Sequence, residues 1–224
     1  MRQMLWLIVG LSGLVACPHA DAGTIVFSNL GQPGDTFGPD GISFGSNPFI
    51  PPTSIIGIVA TRFQVNGNAM LDTVETALAV ISGPTDFYAY ILSETAGLPD
   101  HVIASTHFTD VATGPQGALL TSIAFAPQEM LAGTSYWFGL SAGPGTFADW
   151  KFTLFYGDTS GSPNLGIGRI SGDMTSNWIL GTGGPLGREG AFRVNGTDIP
   201  EPACQLSVLA GLLYLTQRAG KRLT

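Results

Sequence analysis

The chain has 224 residues, of which 16 are acidic and nine basic, so its formal net charge at pH 7 is −7. This balance excludes a nucleic-acid-binding surface, because phosphate neutralisation requires clustered Lys and Arg. The two cysteines, Cys17 and Cys204, lie close to the two ends of the chain. The region between them therefore has no disulfide framework and must be stabilised by a hydrophobic core, for which it is long enough.

The segment 1–22 has the three parts of a bacterial signal peptide. Arg2 provides a positive start, Met4–Ala16 is apolar, and Ala20 and Ala22 form an A-x-A cleavage site. We expect a signal helix that is removed after Ala22, so that the mature chain begins at Gly23.

A second interpretation of the same segment involves lipidation. The stretch Leu14–Cys17 resembles a bacterial lipobox, in which Cys17 would become the lipidated first residue. Pro18 beside the acceptor and the well-placed A-x-A site favour plain cleavage.

The segment 23–199 has the length of one domain and is more acidic than the whole chain. It contains five basic and 14 acidic side chains, a net charge of −9. Short runs of β-branched and aromatic residues alternate with glycine and proline, which predicts an all-β domain. The predicted strands are Thr24–Ser28, Ser54–Val65, Thr73–Ser82, Phe87–Ser93, Val102–Phe108, Leu119–Phe125, Ser135–Ser141, Lys151–Tyr156 and Gly190–Asn195.

These strands predict an antiparallel β-sandwich of jelly-roll-like type, flanked by the N-terminal signal helix and a C-terminal hydrophobic helix. The run Tyr136–Leu140 alternates only partly between apolar and polar residues. Such a run is typical of a strand that is covered on both faces.

Gly34–Gly41 is a glycine-rich segment that carries two carboxylates, Asp35 and Asp40. Carboxylates and free backbone carbonyls are the oxygen donors that Ca²⁺ prefers, so this loop is a candidate calcium site. The alternative is a polar loop in which both Asp residues accept local backbone hydrogen bonds. Composition suggests no other cofactor.

Aromatic residues are concentrated in the second half of the domain, which suggests a surface for stacking on sugar rings. Trp150 and Trp178 lie beside polar turns and are the candidate ligand-binding residues at the surface, whereas Trp137 is expected in the core. The alternative is that most of these rings form core.

The sequence points to no catalytic constellation. His101 and His107 are separated by about 20 Å on a regular strand, which is too far for joint metal ligation or acid–base coupling. We expect no serine nucleophile elbow of the G-x-S-x-G type. The chain is therefore expected to be a non-catalytic protein; the alternative is a secreted carbohydrate-active or other hydrolase.

The C-terminal segment 200–224 has three parts in a fixed order. The triplet Pro200, Glu201, Pro202 precedes the uncharged run Ala203–Thr216, and a basic cluster ends the chain with Arg218, Lys221 and Arg222. The prolines keep the triplet extended. The apolar run rises about 21 Å as a helix against a hydrocarbon core of about 30 Å, so it suits a transient membrane stage better than permanent anchoring.

This tail resembles the PEP-CTERM sorting domain of exported bacterial proteins. The resemblance implies recognition by an exosortase and by the export machinery, a transient stage in the inner membrane, and delivery to the cell surface or extracellular matrix of a Gram-negative-type bacterium. It also implies a biofilm setting in which extracellular polysaccharide is a candidate partner.

The segment 24–197 resembles the choice-of-anchor R domain, a family that occurs with interchangeable anchors. The resemblance rests on short segments in a common order, namely Val26–Gly31, Leu71–Leu78, Ala96–Pro99, Leu131–Trp137 and Gly190–Val194. It implies a β-sandwich at the cell surface and assigns no activity.

Overall fold

The computed structural model describes residues 23–31, 34–46, 57–111, 119–153, 165–168, 178–181 and 189–199. All regular structure in these residues is β, and every strand pairing is antiparallel, which confirms the predicted class. None of them belongs to a helix of the length and apolarity that crossing a membrane requires. The strands are β1 Thr24–Ser28, β2 Phe37–Gly45, β3 Ile58–Gln64, β4 Ala69–Ser82, β5 Phe87–Thr95, β6 Leu98–Phe108, β7 Leu119–Met130, β8 Ser135–Ala142, β9 Phe147–Thr153, β10 Leu165–Gly168, β11 Trp178–Gly181 and β12 Phe192–Asp198.

The predicted strand Thr24–Ser28 coincides with β1, but β2 was not predicted. Its sequence carries glycines and Pro39, which indicate a loop when read alone. In the structure β2 pairs with β9, and the register shifts between Phe37 and Gly41. This bulge accommodates Pro39 within an edge strand, so the loop prediction for the second half of Gly34–Gly41 is wrong.

The first sheet is built around the 14-residue strand β4 and has the order β1-β12-β4-β9-β2, with β7 also paired to β4. One edge of β4 is shared: β12 pairs with residues 69–76 and β9 with residues 78–82. The opposite edge pairs with β7 along residues 69–78. The strands β9 and β12 therefore meet end to end beside the middle of β4.

The two sheets share one hydrophobic core, and Phe192 lies at its centre. The centroid of its ring is 5.1 Å from those of Phe27 and Phe138, 5.7 Å from that of Phe63 and 6.0 Å from that of Trp150. Phe63 and Phe138 belong to the second sheet, whereas the other three belong to the first. Alternate side chains of both sheets thus meet in a single layer, which we call the shared core.

The second sheet has the order β11-β10-β3-β8-β5-β6 and is apolar on both faces. One face contributes to the shared core. The opposite face carries a separate cluster of buried side chains, the outer-face cluster, made of Ile58, Ala60, Tyr90, Leu92 and Trp137. The sheet curls towards this cluster, so that β11 approaches β6. This agrees with the prediction that the strand containing Tyr136–Leu140 is covered on both faces.

Candidate ligand-binding face on the second sheet

The strand register aligns the outer-face cluster in rows across the sheet. In one row Trp137 lies between Arg62 of β3 and Leu92 of β5, and Leu92 is opposite Val102 of β6. In the next row Gly139 lies between Ala60 and Tyr90. Because side chains alternate between faces, the members of each row point to the same side of the sheet.

Trp137 is the largest fully buried side chain of this face. Its side chain is fully buried, and its indole Nε1 has no hydrogen-bond partner among the described residues. A buried donor without an acceptor costs about 1–3 kcal/mol in desolvation. The indole therefore fills this buried space at the cost of a donor that no described residue accepts.

Gly139 keeps the middle of the face close to the backbone. A Cβ added there would lie 3.1 Å from Cγ2 of Ile58 and 3.2 Å from Cδ1 of Leu92. The side chains of Ile58 and Leu92 therefore rest on the glycine, and apolar surface lies next to the Trp137 indole.

Tyr90 adds hydroxyl chemistry to the apolar face. Its hydroxyl and that of Ser141 are 3.1 Å apart, within hydrogen-bonding distance. Burial raises the pKa of the Tyr90 phenol, the hydrogen bond with Ser141 lowers it by less, and the neighbouring Tyr88 raises it further. Tyr90 is therefore neutral at physiological pH.

An ion pair closes one end of the face. Nη2 of Arg62 donates to Oε1 of Glu94 at 2.7 Å and to the hydroxyl of Ser135 at 3.0 Å, and Nε of Arg62 donates to the second oxygen of Glu94. This bidentate geometry orients both groups and neutralises the charge of Arg62. The outer-face cluster therefore presents no unpaired charge at this end.

Trp178, one of the two predicted ligand-binding residues, lies at the edge of this face. It is half-buried and packs against the outer-face cluster from β11. Its cross-strand partner on β10 is Gly168. Trp178 thus contacts the cluster and keeps part of its surface exposed.

Trp150, the other predicted ligand-binding residue, is not at the surface, and the expectation of exposure is wrong. Its side chain is fully buried in the shared core, and its Nε1 donates to the carbonyl oxygen of Ala191 at 3.2 Å. The polar turn next to it in sequence does not expose it, because its ring is covered by Phe192 and by Gly190. A Cβ on Gly190 would overlap Cε2 of the indole.

The two candidate calcium ligands lie apart from this face. Asp35 is in a turn with φ of 53° and accepts a hydrogen bond from Nη1 of Arg193 at 2.9 Å. Nε of Arg193 also donates to Glu75 at 2.6 Å. Burial alone lowers the pKa of Arg193, but the hydrogen bonds and charges of Glu75 and Asp35 outweigh it and raise that pKa. Asp35 thus already has a cationic partner.

Asp40 is exposed in the bulge of β2, where the sequence suggested a loop. Within the described ranges, no group of three or more His, Cys, Asp or Glu side chains could hold a metal ion. Calcium binding by Asp35 and Asp40 stays a prediction.

The histidines of β6 each have a carboxylate partner. Nε2 of His107 lies 2.7 Å from Asp86, and its ring centroid is 4.8 Å from that of Tyr88. Nδ1 of His101 lies 2.8 Å from Asp100. Both histidines are exposed. The pair of His101 with Asp100 and the pair of His107 with Asp86 share no residue.

The segment Gly41–Gly45 matches the G-x-S-x-G pattern, although we expected no nucleophile elbow in this chain. An elbow requires a sharp turn between a strand and a helix, whereas this segment lies within the extended strand β2. The hydroxyl of Ser43 donates to Oδ1 of Asp149 at 2.5 Å on the neighbouring strand. Ser43 is thus a cross-strand partner, and the histidines of β6 belong to the other sheet.

Of the residues predicted from the terminal segments, only Gly23 is described; it is exposed in a turn. The remaining ones lie outside the described residues: Ala20, Ala22, Cys17, Pro200, Glu201, Pro202, Arg218, Lys221 and Arg222.

Sequence reasoning did not identify Tyr90, Arg62 or Glu94 as parts of a site. One available signal was that both odd and even positions of the second-sheet strands are apolar, which implies two buried faces. The sequence contains no signal that Trp137 Nε1 lacks an acceptor among the described residues, because this depends on atoms that distant parts of the chain bring next to it.

No protein-family model matches this chain, and the curated proteins include no similar sequence.

Proposed function

We propose that this chain is a non-catalytic protein that a bacterium exports, that an exosortase sorts to the cell surface or extracellular matrix, and that binds extracellular polysaccharide there. The observation that carries the proposal is the order of the C-terminal segments: Pro200–Pro202, the apolar run Ala203–Thr216, and the basic end formed by Arg218, Lys221 and Arg222. Each segment has a matching physical role in processing at a membrane.

The signal peptide supports the same route from the other end of the chain. Its apolar segment and its A-x-A site at Ala20 and Ala22 are typical of export and cleavage. A domain of net charge −9 without cysteine then depends on packing alone for its stability outside the cell.

The folded region is consistent with a β-sandwich of jelly-roll-like topology, the finer class that we assign to it. Two six-stranded antiparallel sheets with one shared core are its support. The second sheet curls towards its outer face, where buried aromatic and hydroxyl side chains lie. Trp178 is half-buried at the edge of that face, and the exposed part of its ring can contact a sugar.

Processing of the tail tests the sorting part of the proposal. The full chain is expressed in a bacterium that has an exosortase and in the same strain without it, and Glu201→Ala is compared with the control Gln205→Ala. We expect wild type and the control to be released from the membrane fraction with a C-terminus near residues 200–202, as measured by intact mass. The Glu201→Ala chain should keep its tail. Sorting by an exosortase would be excluded if Glu201→Ala and Gln205→Ala lost their tails equally, or if the tail were removed in the strain without the exosortase.

The mature N-terminus tests the export part. Mass spectrometry should find Gly23 as the first residue and no lipid. A lipidated chain that begins at Cys17, and loses its lipid in Cys17→Ser, would instead establish the lipobox interpretation.

A further inference from the structure

We propose that one end of the folded domain docks on the membrane-embedded enzyme that removes the tail. This surface, the tail-exit end, is formed by the turns 65–68 and 131–134 around Ile199. The partner that it fits is a protein with an apolar contact surface beside the groove that binds residues 200–202. The inference rests on the proposed function, because it assigns the surface that the sorting enzyme contacts.

The residue that precedes the tail, Ile199, is fixed on this end by Asn68. The backbone N–H of Ile199 donates to the carbonyl oxygen of Asn68 at 2.9 Å. The side-chain Oδ1 of Asn68 accepts from the backbone N–H of Ala132 at 2.8 Å. Asn68 thus joins the end of β12 directly to the turn between β7 and β8.

Backbone hydrogen bonds also connect the two turns and the strands that lead to them. The N–H of Gly133 donates to the carbonyl oxygen of Val65 at 2.7 Å. At the start of β4, Ala69 pairs with Met130 on one side and with Asp198 on the other. The point at which the chain leaves the domain is therefore fixed relative to both turns.

The length of chain beyond Ile199 brings the enzyme against this surface. Glu201 follows Ile199 by two residues, and two residues span at most about 7 Å. A protease that binds Glu201 and the prolines on either side of it therefore contacts the turns while the domain is folded. This short connection identifies the occupant of the tail-exit end as the enzyme that binds the triplet Pro200–Pro202.

The centre of the tail-exit end is uncharged and partly apolar, which suits a protein partner. Leu131 is 49% exposed, and neither turn contains a charged residue. Asp198 and Glu129 are exposed beside the turns. Protein interfaces commonly have a centre that is depleted of charge and a polar rim. In a domain of net charge −9, this end therefore approaches a partner with little loss of charge hydration.

The residue that follows the signal cleavage site lies at the same end. The strand β1 runs antiparallel to β12, and Thr24 is opposite Gly196. Gly23 precedes β1 by one residue and is exposed. Both points at which the domain joins a proposed membrane segment are therefore at one end, which faces the membrane whichever segment is still attached.

The test measures the rate of tail release from the full chain in the strain that has the exosortase, by pulse-chase and intact mass. Leu131→Asp places a charge at the centre of the tail-exit end, and we expect it to slow release at least about fivefold. The matched control is Ile81→Asp. Ile81 is similarly exposed, at 45%, but lies about 40 Å from Ala69 along β4, at the opposite end of the strand. Its release should equal that of wild type.

A linker separates docking from an effect on folding or export. Ten Gly and Ser residues inserted between Ile199 and Pro200 add roughly 17 Å of flexible reach, so the triplet can be bound without contact to the turns. We expect the linker alone to slow release, and Leu131→Asp to add no further slowing in the linker chain. This non-additivity is the signature of one shared contact.

A photo-crosslinker identifies the partner. With p-benzoylphenylalanine in place of Leu131, the full chain should crosslink to a catalytically inactive exosortase, which binds the tail without releasing it. The same group in place of Ile81 should give no such product.

Four results would overturn the inference. Release of Leu131→Asp at the wild-type rate, or a slowing that is equally large in the linker chain, would reject the docking surface and leave the proposed sorting standing. Crosslinks from position 131 to lipid in place of the exosortase would assign this end to the bilayer surface. Absence of tail release from wild type would reject the proposed sorting itself, and the docking surface with it.

Discussion

The shared core and the outer-face cluster each bury one tryptophan completely, but they treat its polar atom differently. In the shared core, the carbonyl of Ala191 accepts from Trp150 Nε1 and also from the hydroxyl of Thr76. In the outer-face cluster, Trp137 Nε1 has no acceptor among the described residues. The shared core thus pairs the indole donor of its buried tryptophan, as native cores almost always do, whereas the outer-face cluster is an exception to that rule.

The largest effect that tests this comparison is expected in the shared core. Phe192→Ala removes the ring that contacts Phe27, Phe63 and Phe138 from both sheets. We expect a loss of about 3–5 kcal/mol in the free energy of unfolding, measured by urea denaturation. Leu92→Ala is the corresponding change in the outer-face cluster, and an equal or larger loss there would contradict the view that Phe192 lies at the centre of the fold.

The next effect concerns the junction of β9 and β12. In Gly190→Ala, the new methyl group would overlap Cε2 of Trp150, so the indole or the strand must move. We expect a loss of about 1–3 kcal/mol by denaturation. Gly133→Ala is a poor control, because Gly133 has φ of 73° and strains any side chain. Gly67→Ala meets nothing within 4 Å and should cost much less.

A smaller effect separates the two tryptophans directly. Trp150→Phe and Trp137→Phe remove the same atoms from two fully buried sites, but only the first loses a hydrogen bond to a described residue. We expect Trp137→Phe to be more stable than Trp150→Phe by about 1 kcal/mol in chemical denaturation. If the two variants are equally destabilised, Trp137 Nε1 is paired in solution and the comparison between the two regions fails.

The smallest effect is confined to alkaline pH. Because burial raises the pKa of Tyr90, the folded protein holds the phenol proton more tightly than the unfolded chain does. The stability that this provides is fully present below the ordinary tyrosine pKa of 10.0 and is lost as the pH rises through the folded-state value. Tyr90→Phe should therefore lose less stability than wild type between neutral and alkaline pH. Parallel pH profiles of the two proteins would show that Tyr90 is not buried in solution.

Part of the fold was accessible from the sequence because it depends on local pattern. The run Tyr136–Leu140 predicted a strand with two covered faces, and β8 has the shared core on one side and the outer-face cluster on the other. In contrast, β2 was missed because Pro39 is compatible with a strand only at an edge with a bulge. Whether a strand lies at an edge is set by its neighbours and not by its own residues.

The candidate site was less accessible for the same reason. The polar turn beside Trp150 suggested exposure, yet Gly190 and Phe192, which come much later in the chain, cover its ring. Trp178 lies on β11, the last strand at one end of the second sheet among the described residues, and keeps part of its surface exposed. In contrast, the prediction that Glu201 and the other tail residues direct cleavage of the tail depends only on the linear order of segments in the sequence.

The sequence by itself determined the all-β class, the acidic and cysteine-free character of the domain, and the order of segments on which the sorting proposal depends. These properties follow from composition and local periodicity, which need no knowledge of distant contacts. Only the tertiary structure decided that Trp150 is a core residue with a paired donor and that the Trp137 donor has no acceptor in the part of the chain that the structure describes. The physical reason is that burial and hydrogen-bond pairing are set by the strands that the fold brings together, and these are far apart in the chain.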